Sequence, residues 1–283
     1  MSPFQATLLG IVEGVSEFLP ISSTGHLILA SSWLRLGGEA VKTFEVILQA
    51  GALGAVLGLY RSRAVSMWRG VQGRDAQGRK LLVNLTLSAL PALFVGAALH
   101  HVIKAALFRT WPVVAALALG GVCMIVVDRW LRRRTLLRQR EAMASQRRAS
   151  QPARSIESIT LRDAVLIGCM QCAALWPGVS RAMVTLVAGL WLGLPSAAAA
   201  EYSFLLAMPT LGAATLFDAM QGGAAVILTI GLQSLVCGFV AAAVVAALSI
   251  RVLLRSLARW GLAPFGWYRI GLAAVVGMTA LHY

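Results

Sequence analysis

Acidic residues are scarce in this chain. Its 283 residues hold 11 Asp and Glu against 25 Lys and Arg, and charged residues of both signs make up only 13%. A soluble domain carries about a quarter charged residues, so an ordinary water-exposed surface is excluded. There are four cysteines, Cys123, Cys169, Cys172 and Cys237, all in apolar context. Cys169-Met-Gln-Cys172 has no second pair and no nearby histidine, so it reads as small packing residues in a membrane helix rather than a zinc or redox site. The net charge of +14 suggests nucleic acid, but a basic groove interleaved with aromatics is missing, so no nucleic-acid partner is expected. The first apolar stretch has no basic leading region and contains Glu13, Glu17 and His26, which argues against a cleavable signal peptide.

Apolar runs of transmembrane length fill the space these absences leave. The chain is 58% hydrophobic, and six stretches read as full spans, at roughly 43–60, 82–103, 111–130, 200–219, 224–250 and 264–282. The basic residues gather between them, at Arg61 to Lys80, Arg129 to Arg162 and Arg251 to Arg259. Such clusters mark cytoplasmic loops, and they attract anionic lipid headgroups. The expected architecture is an all-α polytopic membrane protein with a single membrane domain over 1–283.

Two further apolar stretches are broken in the middle. Residues 4–37 are interrupted by Leu19-Pro20-Ile21-Ser22-Ser23-Thr24-Gly25, and residues 161–194 by Trp176-Pro177-Gly178-Val179-Ser180. Proline removes a helix hydrogen bond, and a serine or threonine just after it caps a new helix. Each stretch therefore reads as two half-helices meeting at a polar turn, which membrane depth tolerates only where it is buried in protein or faces a wet cavity. Placed 158 residues apart without gaps, the two stretches match: Leu8 with Leu166, Gly10 with Gly168, Glu13 with Gln171, Phe18 with Trp176, Ser22 with Ser180 and Ser23 with Arg181. The register continues from Phe44 on Tyr202 to Leu53-Gly54-Ala55 on Leu211-Gly212-Ala213. This predicts a duplication, with repeat 1 over about 4–130, a basic loop over about 131–160 and repeat 2 over about 161–283. Each repeat holds one broken hairpin and three full spans. Three is odd, so the repeats are expected to be inverted, with the first hairpin entering from outside and the second from the cytoplasm.

The breaks carry the groups capable of chemistry. Glu13 and Glu17 are one helical turn apart on one face, and two carboxylates at membrane depth need a metal, a shared proton or water. Ser22, Ser23 and Thr24 stand where a helix restarts and its free N–H groups attract anions. Ser23 and His26 are three apart, close enough to touch, and the imidazole could activate a hydroxyl or protonate a leaving phosphate. Arg181 follows Ser180 in the second break, and a guanidinium in an apolar hairpin needs an anion, a phosphate or one of the two glutamates. Glu45, Gln49 and Glu201 on the following spans either join helices or line the site. Together these groups suit phosphoryl transfer, which needs positioning and charge stabilisation. A transporter or flippase for a lipid phosphate would use the same midplane anion site, and a weakly active lipid-binding homologue would retain it.

At these residues the sequence resembles the undecaprenyl-pyrophosphate phosphatase family, known for bacitracin resistance. The resemblance rests on Glu13-Gly-Val-Ser-Glu17-Phe-Leu-Pro-Ile-Ser-Ser-Thr-Gly-His26, on Phe44-Glu-Val-Ile-Leu-Gln49, on Pro177-Gly-Val-Ser-Arg181 and on Glu201-Tyr-Ser-Phe-Leu-Leu-Ala-Met-Pro209. It implies hydrolysis of the terminal phosphate of a polyprenyl pyrophosphate lipid, which recycles the carrier for cell-wall synthesis, in a bacterial inner membrane with the site open to the periplasm. It implies Glu17, Ser23, His26 and Arg181 as the catalytic core, supported by Ser22, Thr24, Gly25, Gly178 and Ser180. It also implies a divalent cation, Mg²⁺ or Ca²⁺, with Glu13 and Glu17 as its ligands. The nucleophile, Ser23 or a water, is left open, as is assembly into a homodimer. After Arg181 the family pattern continues with a serine, a glycine and a small residue before threonine. This chain has Ala182-Met183-Val184-Thr185 instead, and Ser16 where threonine is usual.

Overall fold

The computed structural model describes residues 1–107, 109–144 and 154–281. Eleven α-helices are found among them: α1 Pro3–Ser16, α2 Ser23–Trp33, α3 Glu39–Leu59, α4 Arg61–Val71, α5 Ala76–Leu107, α6 Thr110–Ala144, α7 Leu161–Gln171, α8 Arg181–Trp191, α9 Ser196–Ile230, α10 Leu232–Trp260 and α11 Ala263–Leu281. Short 3₁₀ turns at Ile156–Ser158 and Cys172–Leu175 lead into α7 and out of it. No strand occurs among the described residues.

Among the described residues, four helical stretches are long and apolar enough to cross a membrane: Ala40–Leu59, Ala76–Leu99, Thr110–Leu137 and Leu232–Trp260. The outer surface agrees, since Phe4, Phe94, Val102 and Leu228 are all largely exposed. Apolar residues in such positions suit lipid rather than water. The chain is a multi-pass membrane protein.

The other two expected spans lie in α9 and α11, but three expected boundaries move. The break placed between 219 and 224 falls at Gly231, whose φ of +86° lets the chain reverse between α9 and α10. The basic stretch 61–80 contains a helix, α4. The basic loop expected from residue 131 begins as a continuation of α6 to Ala144. Residues 145–153 of that loop lie outside the described residues.

Both broken hairpins form as expected. The first is α1 and α2, joined by residues 17–22, and the second is α7 and α8, joined by residues 172–180. Their return helices occupy equivalent positions, Ser23–Trp33 and Arg181–Trp191. Ser22 Oγ accepts from the Gly25 N–H at 3.4 Å, and Ser180 Oγ accepts from the Met183 N–H at 3.2 Å. These are matching N-caps. Each return helix closes on a left-handed residue, Arg35 (φ +53°) or Gly193 (φ +89°). The next N–H then bonds back five residues, from Leu36 to Ser31 O at 2.8 Å and from Leu194 to Gly189 O at 3.0 Å.

The packing of the entry helices matches too. Helix α1 lies against α10, and α7 against α5, so each hairpin leans on a long helix from the other half of the chain. Close approach is possible because the facing residues are small: a Cβ on Gly10 would stand 2.3 Å from Gly238 O, and one on its equivalent Gly168 2.6 Å from Ser88 O. Small residues at helix contacts let backbones meet where the hydrophobic effect gives no drive. The first turn is thereby held inside the helical bundle, and the second is buried at Pro177, Gly178 and Ser180.

Candidate active site

The first turn is built around Ser22. The chain leaves α1 at Glu17, tightens between Leu19 and Ile21, and reaches Ser22 at φ +76°. A left-handed serine is strained, and the strain has a visible product. The Ser22 carbonyl meets His26 Nδ1 at 2.7 Å while its hydroxyl caps α2. A carbonyl only accepts, so Nδ1 carries the proton and neutral His26 has its lone pair on Nε2. Nε2 faces the Tyr268 hydroxyl at 2.7 Å, with the two rings parallel to within 2° and their centroids 5.7 Å apart.

No hydrogen bond joins Ser23 to His26 among the described residues. Ser23 Oγ donates instead to Glu17 Oε2 at 2.6 Å. The physical reason is the turn itself: residues 17–22 fold back so that the first residue of α2 faces the end of α1, while the ring of His26 is held by the Ser22 carbonyl.

Glu17 is also where the two hairpins meet. Arg181 Nη2 donates to Glu17 Oε1 at 3.1 Å, so both carboxylate oxygens are engaged, one from each hairpin. Arg181 Nη1 donates to Ser203 O at 2.9 Å, and the guanidinium lies 5.8 Å from the centroid of the Phe18 ring. Thr185 Oγ1 donates to Arg181 O at 2.9 Å and pairs with Ser203 Oγ at 2.6 Å, bracing the first turn of α8 against α9. The pair is nearly buried, with side-chain exposures of 12% for Arg181 and 5% for Glu17.

Two unsatisfied groups stand beside this pair. Arg181 Nε is buried with no hydrogen-bond partner, and so are both oxygens of Glu13. Buried polar atoms are normally satisfied, so each unpaired one needs an explanation. An open guanidinium N–H suits an anion, and a buried carboxylate beside Glu17 and Glu45 suits a cation. Thr24 is half-buried and Gly25 buried in the first turn of α2. Gly178 has φ +94° and a Cβ there would stand 2.8 Å from Val113 O, so only glycine fits that turn.

The flanking glutamates join helices. Glu45 accepts from Ser31 Oγ at 2.6 Å, tying α3 to α2. Glu201 accepts from Arg63 Nε at 2.8 Å, and the same guanidinium reaches Glu157 at 2.7 Å. Burial of Arg63 opposes its charge, but the two carboxylates outweigh it and raise its pKa. The departures from the family pattern have a structural place: Ala182 and Met183 are both buried, and Met183 packs in the main core beside Phe204 and Leu205.

Sequence reasoning missed Ser203, Tyr268 and Arg269. Arg269 is fully buried and donates to Pro20 O at 3.3 Å, Gly178 O at 2.9 Å, Ala116 O at 3.0 Å and Leu117 O at 3.4 Å. The signal was present. An arginine inside the apolar run from 264 onward is as anomalous as Arg181.

Fold and site together define an all-helical membrane protein that brings a carboxylate, a hydroxyl and a guanidinium to the meeting point of two broken hairpins. Comparison with known proteins agrees and is more specific. The family described as "Bacitracin resistance protein BacA" matches residues 6–275, and the chain belongs to it. It is 48% identical to the undecaprenyl-diphosphatase of Sorangium cellulosum over 274 residues, 96% of this chain and 85% of the relative. It is 39% identical to that of Rhizorhabdus wittichii over 283 residues, 99% of each chain. It is 36% identical to undecaprenyl-diphosphatase 2 of Shewanella oneidensis, over 96% of each.

Proposed function

We propose that this protein hydrolyses undecaprenyl pyrophosphate to undecaprenyl phosphate and inorganic phosphate. The observation that carries the site is the carboxylate of Glu17, shared between Ser23 of one hairpin and Arg181 of the other. A hydroxyl that donates to a carboxylate at 2.6 Å is a nucleophile next to its base. Ser23 Oγ forms the new bond to the terminal phosphorus as Glu17 takes its proton, and the bond from that phosphorus to the bridging oxygen breaks. A water then releases phosphate from the serine. Arg181 presents its open Nε to the phosphate oxygens, and the N–H groups at the starts of α2 and α8 add to the same field. The imidazole of His26, protonated, supplies the proton to the leaving phosphate from Nε2, which gives up its bond to the Tyr268 hydroxyl for that step while Nδ1 stays on Ser22 O.

The donor set fits the implied Mg²⁺ or Ca²⁺. Glu13 offers two unengaged oxygens and lies one helical turn from Glu17. No group of three or more His, Cys, Asp or Glu forms a metal cluster among the described residues. A Mg²⁺ ion is commonly held by one or two carboxylates plus substrate phosphates and water, so two glutamates suffice. Bound there, the cation would neutralise charge on the diphosphate.

The matched hairpins support inverted repeats, with the basic stretches 61–80, 129–162 and 251–259 on the cytoplasmic side of the inner membrane against anionic lipid. The first hairpin then enters from the periplasm and opens the site there. Purified protein in detergent tests the activity. Phosphate release from undecaprenyl or farnesyl pyrophosphate is expected, is abolished by EDTA, and is restored by Mg²⁺ or Ca²⁺. A folded protein that releases no phosphate but moves the lipid across vesicles would favour the transporter instead.

A further inference from the structure

Arg269 is the largest fully buried side chain among the described residues. Among the described residues its four hydrogen bonds all end on backbone carbonyls, and no carboxylate pairs with it. Burying a guanidinium without an anion is costly, so its place calls for a reason. Two of the carbonyls provide one. Pro20 and Gly178 are equivalent residues of the two hairpins, 158 positions apart, and each stands two residues before the serine that caps the return helix. Both lie in non-helical turns, where a buried carbonyl needs a donor from elsewhere. One planar guanidinium serves both turns at once, which an ammonium cannot do with the same fixed geometry. Its other donors are anchored on Ala116 and Leu117 of α6. Helix α6 leaves room with Gly120, where a Cβ would stand 2.2 Å from Arg269 Nη2.

The preceding residue reaches the first hairpin at a second point. The Tyr268 hydroxyl meets His26 Nε2 at 2.7 Å. Because Nδ1 is held by Ser22 O at 2.7 Å, the imidazole is fixed at both nitrogens. When neutral it accepts from the tyrosine at Nε2; when protonated it donates to the tyrosine oxygen. Either state keeps the same ring orientation.

We propose that Tyr268 and Arg269 are positioning residues for the phosphatase reaction. Arg269 sets the two half-helix N-termini at a fixed separation around the diphosphate, and Tyr268 orients the imidazole. Neither touches the reacting atoms. Arg269 acts through the backbone that carries Ser23 and Arg181, and Tyr268 through His26. The proposal rests on the site reading above. Helix α11, which carries no residue of the recognised motifs, becomes a third contributor to catalysis.

The test uses full-length protein in detergent, phosphate release from undecaprenyl pyrophosphate, and thermal unfolding of each variant. Arg181→Ala and His26→Ala come first: if either keeps wild-type turnover, the site reading itself fails. With both impaired, Arg269→Lys is expected to lower kcat by roughly 10- to 100-fold with KM within about threefold, since misplacement by an ångström costs about that much in rate. Arg269→Gln, which keeps donors but no charge, is expected to fall further than Arg269→Lys. Tyr268→Phe is expected to lower kcat by about tenfold at an unchanged unfolding midpoint, and to add nothing in a His26→Ala background, as for groups that act as a unit. Wild-type kcat in Arg269→Lys and Tyr268→Phe overturns the proposal. So do losses of Tyr268→Phe and His26→Ala that multiply. If Arg269→Lys does not fold, Tyr268→Phe decides, because it removes one hydroxyl from a half-exposed ring.

Discussion

Where the first hairpin carries Glu13 the second carries Gln171, and each is buried with oxygen that accepts no hydrogen bond, Glu13 lying against the Glu17 carboxylate. Glutamine keeps a partial link, through Nε2 to Ser88 O at 3.4 Å. Ten residues further on Ser23 faces Arg181, then Thr24 faces Ala182, Gly25 faces Met183, and His26 faces Val184. The two return helices share their length, a capping serine and a left-handed closing residue, although the caps differ in backbone (Ser22 φ +76°, Ser180 φ −64°), while the side chains have parted by charge. One hairpin holds the carboxylates, hydroxyls and imidazole; the other holds the guanidinium and an apolar, tightly packed face. The capping serines, the left-handed exits and the close entry-helix packing occur in both hairpins, and each helps to make a buried turn tolerable. On the proposed reading the chemistry is divided between them, since phosphoryl transfer uses charged groups of both signs.

The comparison breaks most severely at Arg181→Ala. That change leaves one oxygen of Glu17 buried and unpaired, and removing one partner of a buried pair costs about 3–5 kcal/mol of stability. It also removes the donor proposed for the phosphate, so kcat/KM is expected to fall by about 10³-fold, in the range set by losing a preorganised charge donor. Phosphate release and thermal unfolding on the same sample separate the two effects. An active Arg181→Ala protein would mean that the second hairpin is scaffold only.

Exchanging the equivalent acids and amides sharpens the contrast. Glu13→Gln makes the first hairpin resemble the second. The fold is expected to hold or gain slightly, because an unpaired buried carboxylate becomes a neutral amide. Turnover is expected to drop by about 10²-fold, with a higher concentration of divalent cation needed for half-maximal rate. Gln171→Glu is the mirror experiment. It places a second unpaired carboxylate in an apolar setting, so stability falls by about 1–3 kcal/mol while the rate stays within about threefold of wild type. If Gln171→Glu damages turnover as much as Glu13→Gln does, the two hairpins share the work and the division of charge is wrong.

Much of this contrast was legible in the sequence, and the reason is local. A proline followed by a capping serine, in an apolar stretch too long to be a loop, states where a membrane helix breaks and restarts. Glu13, Glu17 and Arg181 stood out because charge is expensive at that depth, and the gapless register paired the breaks. What could not be read was orientation across the fold. Nothing within residues 17–26 says that Ser23 turns to Glu17 rather than to His26; that follows from the positive φ of Ser22 and from a tyrosine that arrives from α11. Arg269 was missed for a related reason. Its partners are carbonyls from three separate segments, and a carbonyl leaves no trace in residue type. The boundary at Gly231 was misplaced because α9 and α10 are both apolar where they meet, so composition does not change where the chain reverses.

The smallest expected effect lies where the hairpins end. The first return helix closes on Arg35 at φ +53°, and the second on Gly193 at φ +89°. Both are exposed, and a Cβ at Gly193 would come no closer than 4.0 Å to its nearest neighbour, Arg154 Cδ. Space is therefore not what distinguishes them; backbone conformation is. A side chain in the left-handed region costs about 1–2 kcal/mol, partly offset by the greater freedom glycine has in the unfolded chain. Arg35→Gly is expected to stabilise the protein by about 0.5–1 kcal/mol, and Gly193→Ala to destabilise it by a similar amount, both at wild-type kcat. Unfolding midpoints at one fixed scan rate measure this, since membrane proteins rarely refold on cooling. Equal and opposite shifts would show that the two exits are one backbone device carried by different residues. A Gly193→Ala protein with an unchanged midpoint would mean that the left-handed turn is not held in solution. The matching bonds of Leu36 and Leu194 would then not be a constraint on either hairpin.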